Sequence, residues 1–549
     1  MTIHHPTFAA TAETDRVQGR SMIVSRYGIV ASEHPLASQA GAMVLAEGGS
    51  AVDAAIAANA VMGVVAPMTC GMGGDLFAIV RDAKTGELHG LNSSGWAPAG
   101  LTRDFLLSQG LTNTPLRGIH SVTIPGCVAG WDALHRKFGR KRLSRLLAPA
   151  IRLADEGFPV TEIVSGYWAA SEKLMSEDPA AKATFLPEGR APKLGEVFRN
   201  PDLAWSLQQV AKAGRRAYYE GPIARRLLLS AKEHGGVWTL ADFREFQPEW
   251  VTPISTTYHG WTVYEIPPQG QGIAALVMLN ILEQFPLADW GYGSVATLHT
   301  MIEAQKLAYA DLHRYVGDLR FADVPVAGML SKDYARERAR LIDPDHAAEA
   351  VLPGKPLRSG TDTTYLCAVD RDGNMVSFIQ SNYAGFGSGL VAAGTGFGLQ
   401  NRGALFTLDP DHPNALEPRK RPLHTIIPAF MEKGEVRIAF GIMGGWNQAQ
   451  AHAQFVADLA DFGMNPQAAL EAPRFTRMVF PGKAVEIENR IPVEVREALA
   501  AKGHEITSNH AFSQNVGGGQ AVMRNFATGI NYGASDPRKD GAAVPEPVQ

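Results

Sequence analysis

Apolar positions along the chain switch between two spacings, and the switches mark the elements. A period of two through Trp261-Thr262-Val263-Tyr264-Glu265-Ile266 predicts a strand, stopped by the breakers Pro267-Pro268-Gln269-Gly270. Residues 20–100 read as a strand, two helices and a hairpin through 76–80 and 88–91. Residues 129–235 are mainly helical, with apolar spacing near 3.6 at Leu143, Leu146, Leu147, Ala150 and Ile151, and again at Ile223, Leu227 and Leu228. Pro149 is expected to split the first of these into two helices. Ser50 followed by Asp53 is a capping box, so the Ala-rich stretch 51–65 reads as a buried helix. Strand-rich ends around a helical middle indicate a mixed α/β chain.

The densest window is residues 361–381. Two β-branched and aromatic runs flank Arg371-Asp372-Gly373-Asn374, a hairpin signal because glycine accepts the positive φ of a tight turn. If 371–374 form the turn, Asp370 faces Met375 and Thr363 faces Asn382. Ser381 then reaches Thr363 only through a bulge. A threonine heading a strand becomes a catalyst if the peptide bond before it is cut, since its new α-amine serves as base for its own hydroxyl. Threonine is also common in strands for packing reasons alone. Farther on, Gly441-Ile442-Met443-Gly444-Gly445-Trp446-Asn447-Gln448 joins a strand over 436–440 to a helix over 449–460. Glycines at such a turn expose N–H groups that suit an oxyanion, although they also simply make turns.

Several separated segments in order carry a resemblance. They are Ala31-Ser32-Glu33-His34-Pro35, Gly48-Gly49-Ser50-Ala51-Val52-Asp53, Gly71-Met72-Gly73-Gly74-Asp75, Asp362-Thr363-Thr364 and Lys420-Arg421-Pro422-Leu423-His424-Thr425. Together they resemble the γ-glutamyltranspeptidase (glutathione hydrolase) family of N-terminal-nucleophile hydrolases, from about residue 28 to about residue 543. The resemblance implies a four-layer αββα sandwich and a proenzyme that cuts itself between Asp362 and Thr363. That gives an N-terminal extension over 1–27, a large subunit over 28–362 and a small subunit over 363–549. Thr363 is then nucleophile and new chain start, Gly444 and Gly445 match the oxyanion hole, and Ser381 replaces a threonine that supports the nucleophile's hydroxyl.

The acyl pocket departs from its relatives. Where the family grips the α-carboxylate with an arginine, this chain has Ser94, and where it grips the α-amine with an aspartate, it has Leu405. Loss of two charge-assisted contacts, each worth roughly 1.5–3 kcal/mol, requires compensation. Arg402, Tyr383, His424, Trp446 and Asn447 lie in matched segments and are the candidate substrate-binding residues, Arg402 foremost for a carboxylate. The short loop 407–416 suggests a more open cleft.

Net charge of −4 gives no reason to expect nucleic acid or an anionic membrane as partner. No stretch reaches the roughly 20 consecutive apolar residues of a membrane helix. No apolar leader is visible in residues 1–20, so a cytoplasmic location is expected. Cys70, Cys127 and Cys367 lack metal-ligand spacing and read as core residues. No His-Glu-x-x-His occurs, and neither metal nor cofactor is called for. Gly517-Gly518-Gly519 reads as a turn near the cleft, 419–421 as a solvated or locally paired turn, and the last few residues of the tail as disordered.

The leading reading is an autoprocessed glutathione hydrolase-like amide hydrolase or acyl transferase, its partners a small amide or peptide substrate and its own two subunits. The alternatives are an amidohydrolase for oxamate-, glutaryl- or cephalosporin-type acyl groups, and an uncleaved binding homologue.

Overall fold

The structure is a computed structural model and describes residues 17–351, 362–480 and 482–548. Two seven-stranded antiparallel sheets form its centre. The first runs, edge to edge, through Ala542–Pro545, Ile29–Ser32, Asp362–Val369, Met375–Tyr383, Asp75–Arg81, Leu88–Asn92 and Glu249–Val251. The second runs through Ile23–Ser25, Ile530–Ser535, Gly519–Asn525, Val436–Ile442, Ala429–Lys433, Trp261–Glu265 and Ile254–Tyr258. Both sheets mix strands from either side of the 362/363 junction, so backbone pairing would hold the two halves together after scission.

Strand alternation builds three apolar layers. Tyr365, Cys367 and Val369 point between the sheets and meet Phe77, Ile379, Phe430 and Ala439. Leu366 and Ala368 point the other way, onto the helix Ala51–Val65 and its neighbours. On the far face of the second sheet, Met431, Ile438 and Phe440 pack beneath the helices Gly272–Leu282, Val295–Tyr315 and Asn447–Ala460. The result is the αββα sandwich expected from the resemblance. All fifteen residues of Ala51–Val65 are buried, and Ser50 and Asp53 cap the helix reciprocally as the capping box predicts. The three cysteines are buried thiols.

Four local expectations change. The hairpin turn is one residue tighter than read from the sequence: Val369 pairs with Met375, and the Asp370 N–H bonds the Asn374 carbonyl at 3.0 Å. The Asp370 carboxylate tightens this turn by accepting from the N–H groups of Asp372 and Asn374. Leu143–Glu156 is a single helix with Pro149 inside it, because Leu146, Leu147, Ala150 and Ala154 bury a continuous face. The tail is ordered through Ala542–Pro545, and Glu546 exchanges bonds with Gly28. Gln549 lies outside the described residues. Finally, 419–421 is paired, locally between Lys420 and Glu417 at 2.8 Å and also between Arg419 and both Asp242 and Glu245, but it is not solvated throughout. Lys420 and Arg421 are buried, with Arg421 donating to Ser94 O at 3.0 Å, to Gln247 O and to Glu249.

Candidate active site

The tighter hairpin aligns the site. Thr364 pairs with Gln380, so the count places Thr363 across from Ser381 before the register slips, and Asp362 pairs with Tyr383. Thr363 Oγ1 lies 3.2 Å from Ser381 Oγ, and Ser381 Oγ also accepts from the Tyr383 N–H at 2.7 Å. By alternation Thr363 shares the face of Tyr365, toward the second sheet, while Thr364 points away.

The second sheet delivers the opposite wall. Val436–Ile442 ends in Gly444 and Gly445, with φ of 131° and 56°, in the region that favours glycine. Helix Asn447–Ala460 starts directly afterwards. Among the described residues, the Gly444 and Gly445 N–H groups donate to no acceptor, so they stand free at a helix N-terminus. Gly517 packs against Gly444, which places the glycine triplet at the cleft as expected. Gln271 fixes this turn by donating to Gly445 O at 2.8 Å and Thr425 O at 2.6 Å, and it accepts from Tyr309.

Gln448 joins the site without having been singled out in the sequence. Its Oε1 accepts from the Ile427 N–H at 3.1 Å, which fixes the amide so that Nε2 donates to Thr363 Oγ1 at 3.3 Å. The one available signal was its place on the first helical turn after the two glycines.

The candidate substrate-binding residues surround a buried ion pair. Ser94 is consumed by Asn92 and Gln269, and Leu405 sits in the apolar cluster that also holds Tyr383 and Trp446. Neither carries a charge. Instead, Arg402 Nε meets Asp75 Oδ2 at 3.0 Å, Nη1 donates to Thr425 at 2.6 Å, and the guanidinium lies 4.6 Å over the Tyr383 ring. His424 Nε2 is 3.3 Å from the same Asp75 oxygen. Arg402 Nη2, Asp75 Oδ1 and both Asn447 amide atoms are buried and have no hydrogen-bond partner among the described residues. Asp75 belonged to a quoted motif, yet its pairing is legible only once the strand Asp75–Arg81 lies beside Met375–Tyr383.

Burial raises the Asp75 carboxyl to about 6, with Arg402 opposing the rise. Burial, then the Arg402 and Arg421 charges, holds the His424 imidazole well below its usual value, hence neutral. Trp446 packs with Tyr309, His313 and Phe480, and its carbonyl accepts from Tyr309. Thr363, Ser381, Arg402 and His424 are all fully buried in the single-chain form.

Upstream of the junction the chain is tied down by buried polar groups. His299 Nε2 meets Asp343 O at 2.7 Å, and Lys306 Nζ bonds both Ala348 O at 2.7 Å and Glu303 at 2.6 Å. His299, Glu303 and His504 lie within ligand distance of one another, but the Lys306 ammonium already neutralises the carboxylate. Among the described residues no helix is long and apolar enough to cross a membrane.

A threonine heading a strand of an αββα sandwich, bonded by the glutamine that follows a glycine turn at a helix N-terminus, fits the N-terminal-nucleophile class of hydrolases and transferases. Within that class the chain belongs to the gamma-glutamyltranspeptidase family, whose model matches residues 37–546. It is 37% identical to the glutathione hydrolase-like YwrD proenzyme of Bacillus subtilis, over 95% of this chain and 99% of that one. It is 34% identical to the oxamate amidohydrolase proenzyme of Klebsiella pneumoniae, over 95% and 99%. Among solved structures, a cephalosporin acylase from Bacillus halodurans superposes with a TM-score of 0.91 at 41% identity, covering 98% and 99%.

Proposed function

We propose that the chain is a proenzyme that cuts itself between Asp362 and Thr363 and then hydrolyses or transfers an acyl group in the manner of a glutathione hydrolase. The observation that carries this reading is the convergence of Ser381 Oγ and Gln448 Nε2 on Thr363 Oγ1. The α-amine released by scission takes the hydroxyl proton, and the oxygen attacks the amide carbonyl. The Gly444 and Gly445 N–H groups receive the developing oxyanion, and the amine proton passes to the leaving group. Water or an acceptor amine then resolves the ester. Because Thr363 is buried in the uncut chain, scission also opens the route for substrate.

The Arg402–Asp75 pair supports a γ-glutamyl acyl group. Among the described residues, Arg402 Nη2 and Asp75 Oδ1 are a donor and an acceptor without partners, and they complement the carboxylate and ammonium ends of the zwitterion. A second reading, a carboxylate-bearing acyl group without an amine, rests on the Asp75 charge being already matched by Arg402 at 3.0 Å. Glutaryl-p-nitroanilide is the γ-glutamyl compound without its amine, so the two substrates separate these readings. Faster turnover of the γ-glutamyl substrate, by tenfold or so, supports the first; equal or reversed rates support the second. Turnover of oxamate alone, whose acyl group carries a carboxylate and no amine, supports the second and contradicts the first, while turnover only of an acyl group without a carboxylate contradicts both.

The pH profile follows from Asp75. Below about pH 6 its carboxyl is protonated and cannot hold an ammonium. The γ-glutamyl kcat/KM should therefore rise through about pH 6, whereas the glutaryl value should not. Asp75→Asn should remove that rise and cut γ-glutamyl turnover selectively. The stability sign is the reverse: a raised carboxyl favours folding at low pH, and that contribution is lost as pH climbs through the folded value.

Gln448→Leu keeps the volume but removes a donor to the nucleophile. A neutral hydrogen bond of about 0.5–1.5 kcal/mol predicts a fall in kcat of roughly two- to tenfold with KM unchanged. Steady-state kinetics read both parameters, and a change confined to KM would refute the assignment.

A further inference from the structure

Away from the nucleophile, a cavity of about 220 Å³ opens between the helix Val295–Tyr315 and the second half of Asn447–Ala460. From Asn447 to Asp458 that second helix rises about 16 Å, so the cavity is separate from the acyl site. Leu298, Met301, Phe462 and Tyr292 give it apolar and aromatic walls, the last two as an edge-on pair 5.4 Å apart.

Two charged residues line it, Asp458 and Arg490, and they differ in their commitments. All three Arg490 nitrogens donate within the protein, to Ala511 O, Glu471 O and the Glu488 carboxylate. Asp458 is 5% exposed, yet none of the described residues gives its carboxyl a hydrogen bond or an ion pair. The neighbouring acids behave otherwise. Asp461 accepts from Tyr258 at 2.6 Å and faces His259 at 3.2 Å, while Asp536 is held by Arg474 and Arg538. The guanidiniums of Arg490 and Arg538 are thus matched to Glu488 and Asp536, whereas Arg474 bonds Asp536 through one nitrogen and acts on Asp458 only through space, with no hydrogen bond or ion pair between them among the described residues. Asp458 also lies in the last turn of its helix, where the backbone dipole disfavours an anion and favours a cation. Burial accordingly drives its carboxyl well above the ordinary carboxylate range. A buried acid that serves only the fold would be bonded, as its neighbours are.

We propose that this cavity is a second ligand site, which takes a small organic ammonium ion with its N–H groups on the Asp458 carboxylate and its apolar body against Leu298, Met301 and Phe462. A cavity of about 150 Å³ lined by apolar side chains already holds benzene, so there is room here for a ring and an aminomethyl group. The aromatic walls favour the cation further. Burial favours the protonated form of this carboxyl in the empty site, so ammonium binding is coupled to release of a proton to solvent.

Calorimetric titration with benzylamine, and with benzyl alcohol as its neutral counterpart, tests this in the Thr363→Ala protein and in the unaltered chain. Agreement between the two makes the result independent of the proposed catalysis. The expected result is saturable binding of benzylamine, at least tenfold tighter than the alcohol, with net proton release when buffers of different ionisation enthalpy are compared. Asp458→Asn should reduce benzylamine to the affinity of the alcohol, and Met301→Trp should block both. Absence of saturable benzylamine binding in the millimolar range, equal binding of the alcohol, or undiminished binding by a folded Asp458→Asn protein would overturn the proposal. The comparison of amine with alcohol on the unaltered chain decides the matter even if a variant fails to fold.

Discussion

Replacing Thr363 with alanine should leave a single 59.0 kDa chain with no measurable amidase activity. In the proposed mechanism the Thr363 hydroxyl attacks twice, first at the Asp362 carbonyl and then at the substrate. Loss of that oxygen therefore removes both scission and turnover. Elsewhere, deletion of a catalytic nucleophile has lowered turnover by factors up to about a millionfold, so a fall of at least a thousandfold is expected here. The side chain is small and its bonds include those to Ser381 and Gln448, so the fold should lose only about 1–3 kcal/mol and melt within several degrees of the parent. Thr363→Ser keeps an oxygen and should cleave more slowly rather than not at all. A denaturing gel and an amidase assay on the same samples check both statements. A cleaved Thr363→Ala chain would place the nucleophile elsewhere.

The second large effect is expected at Arg402. Arg402→Gln retains hydrogen-bonding capacity but removes the charge that the proposal sets against the acyl carboxylate. A charge-assisted bond of about 1.5–3 kcal/mol predicts a fall of roughly ten- to a hundredfold in kcat/KM for γ-glutamyl and glutaryl amides alike. Amides whose acyl group lacks a carboxylate should lose far less, and that contrast is the informative readout. Because Asp75 is buried beside it, Arg402→Gln also leaves a carboxyl without its counterion, which favours the protonated form. Arg402→Gln combined with Asp75→Asn should accordingly recover stability but not activity. If both classes of amide fell equally, Arg402 would be holding the fold of the site rather than reading the substrate.

The sequence carried the parts of the site that depend on short spacing. The hairpin, the glycine turn after Ile442 and the capping box at Ser50 all follow from backbone chemistry that a few adjacent residues dictate, and each stands where it was expected. Local reasoning was less exact where one residue of turn length decides the register. The Asp370 carboxylate draws the turn tight, and that single step brings Ser381 to Thr363. It fell silent where partners are distant in the chain. Asp75 and Arg402 are 327 positions apart, as are Ser94 and Arg421, and nothing near either residue announces the other. Pro149 and residues 419–421 illustrate tertiary override: helix packing keeps the first in a continuous helix, and burial against Glu249 turns a basic surface cluster into a structural support for the Ser94 segment.

The most direct measurement is the mass and N-terminal sequence of the fragments from purified, active protein. The account predicts two chains that remain associated, the smaller beginning Thr363-Thr364-Tyr365 and ending with the residues of the Ala542–Pro545 strand and its tail. Full activity from material in which the bond between Asp362 and Thr363 is intact would contradict it.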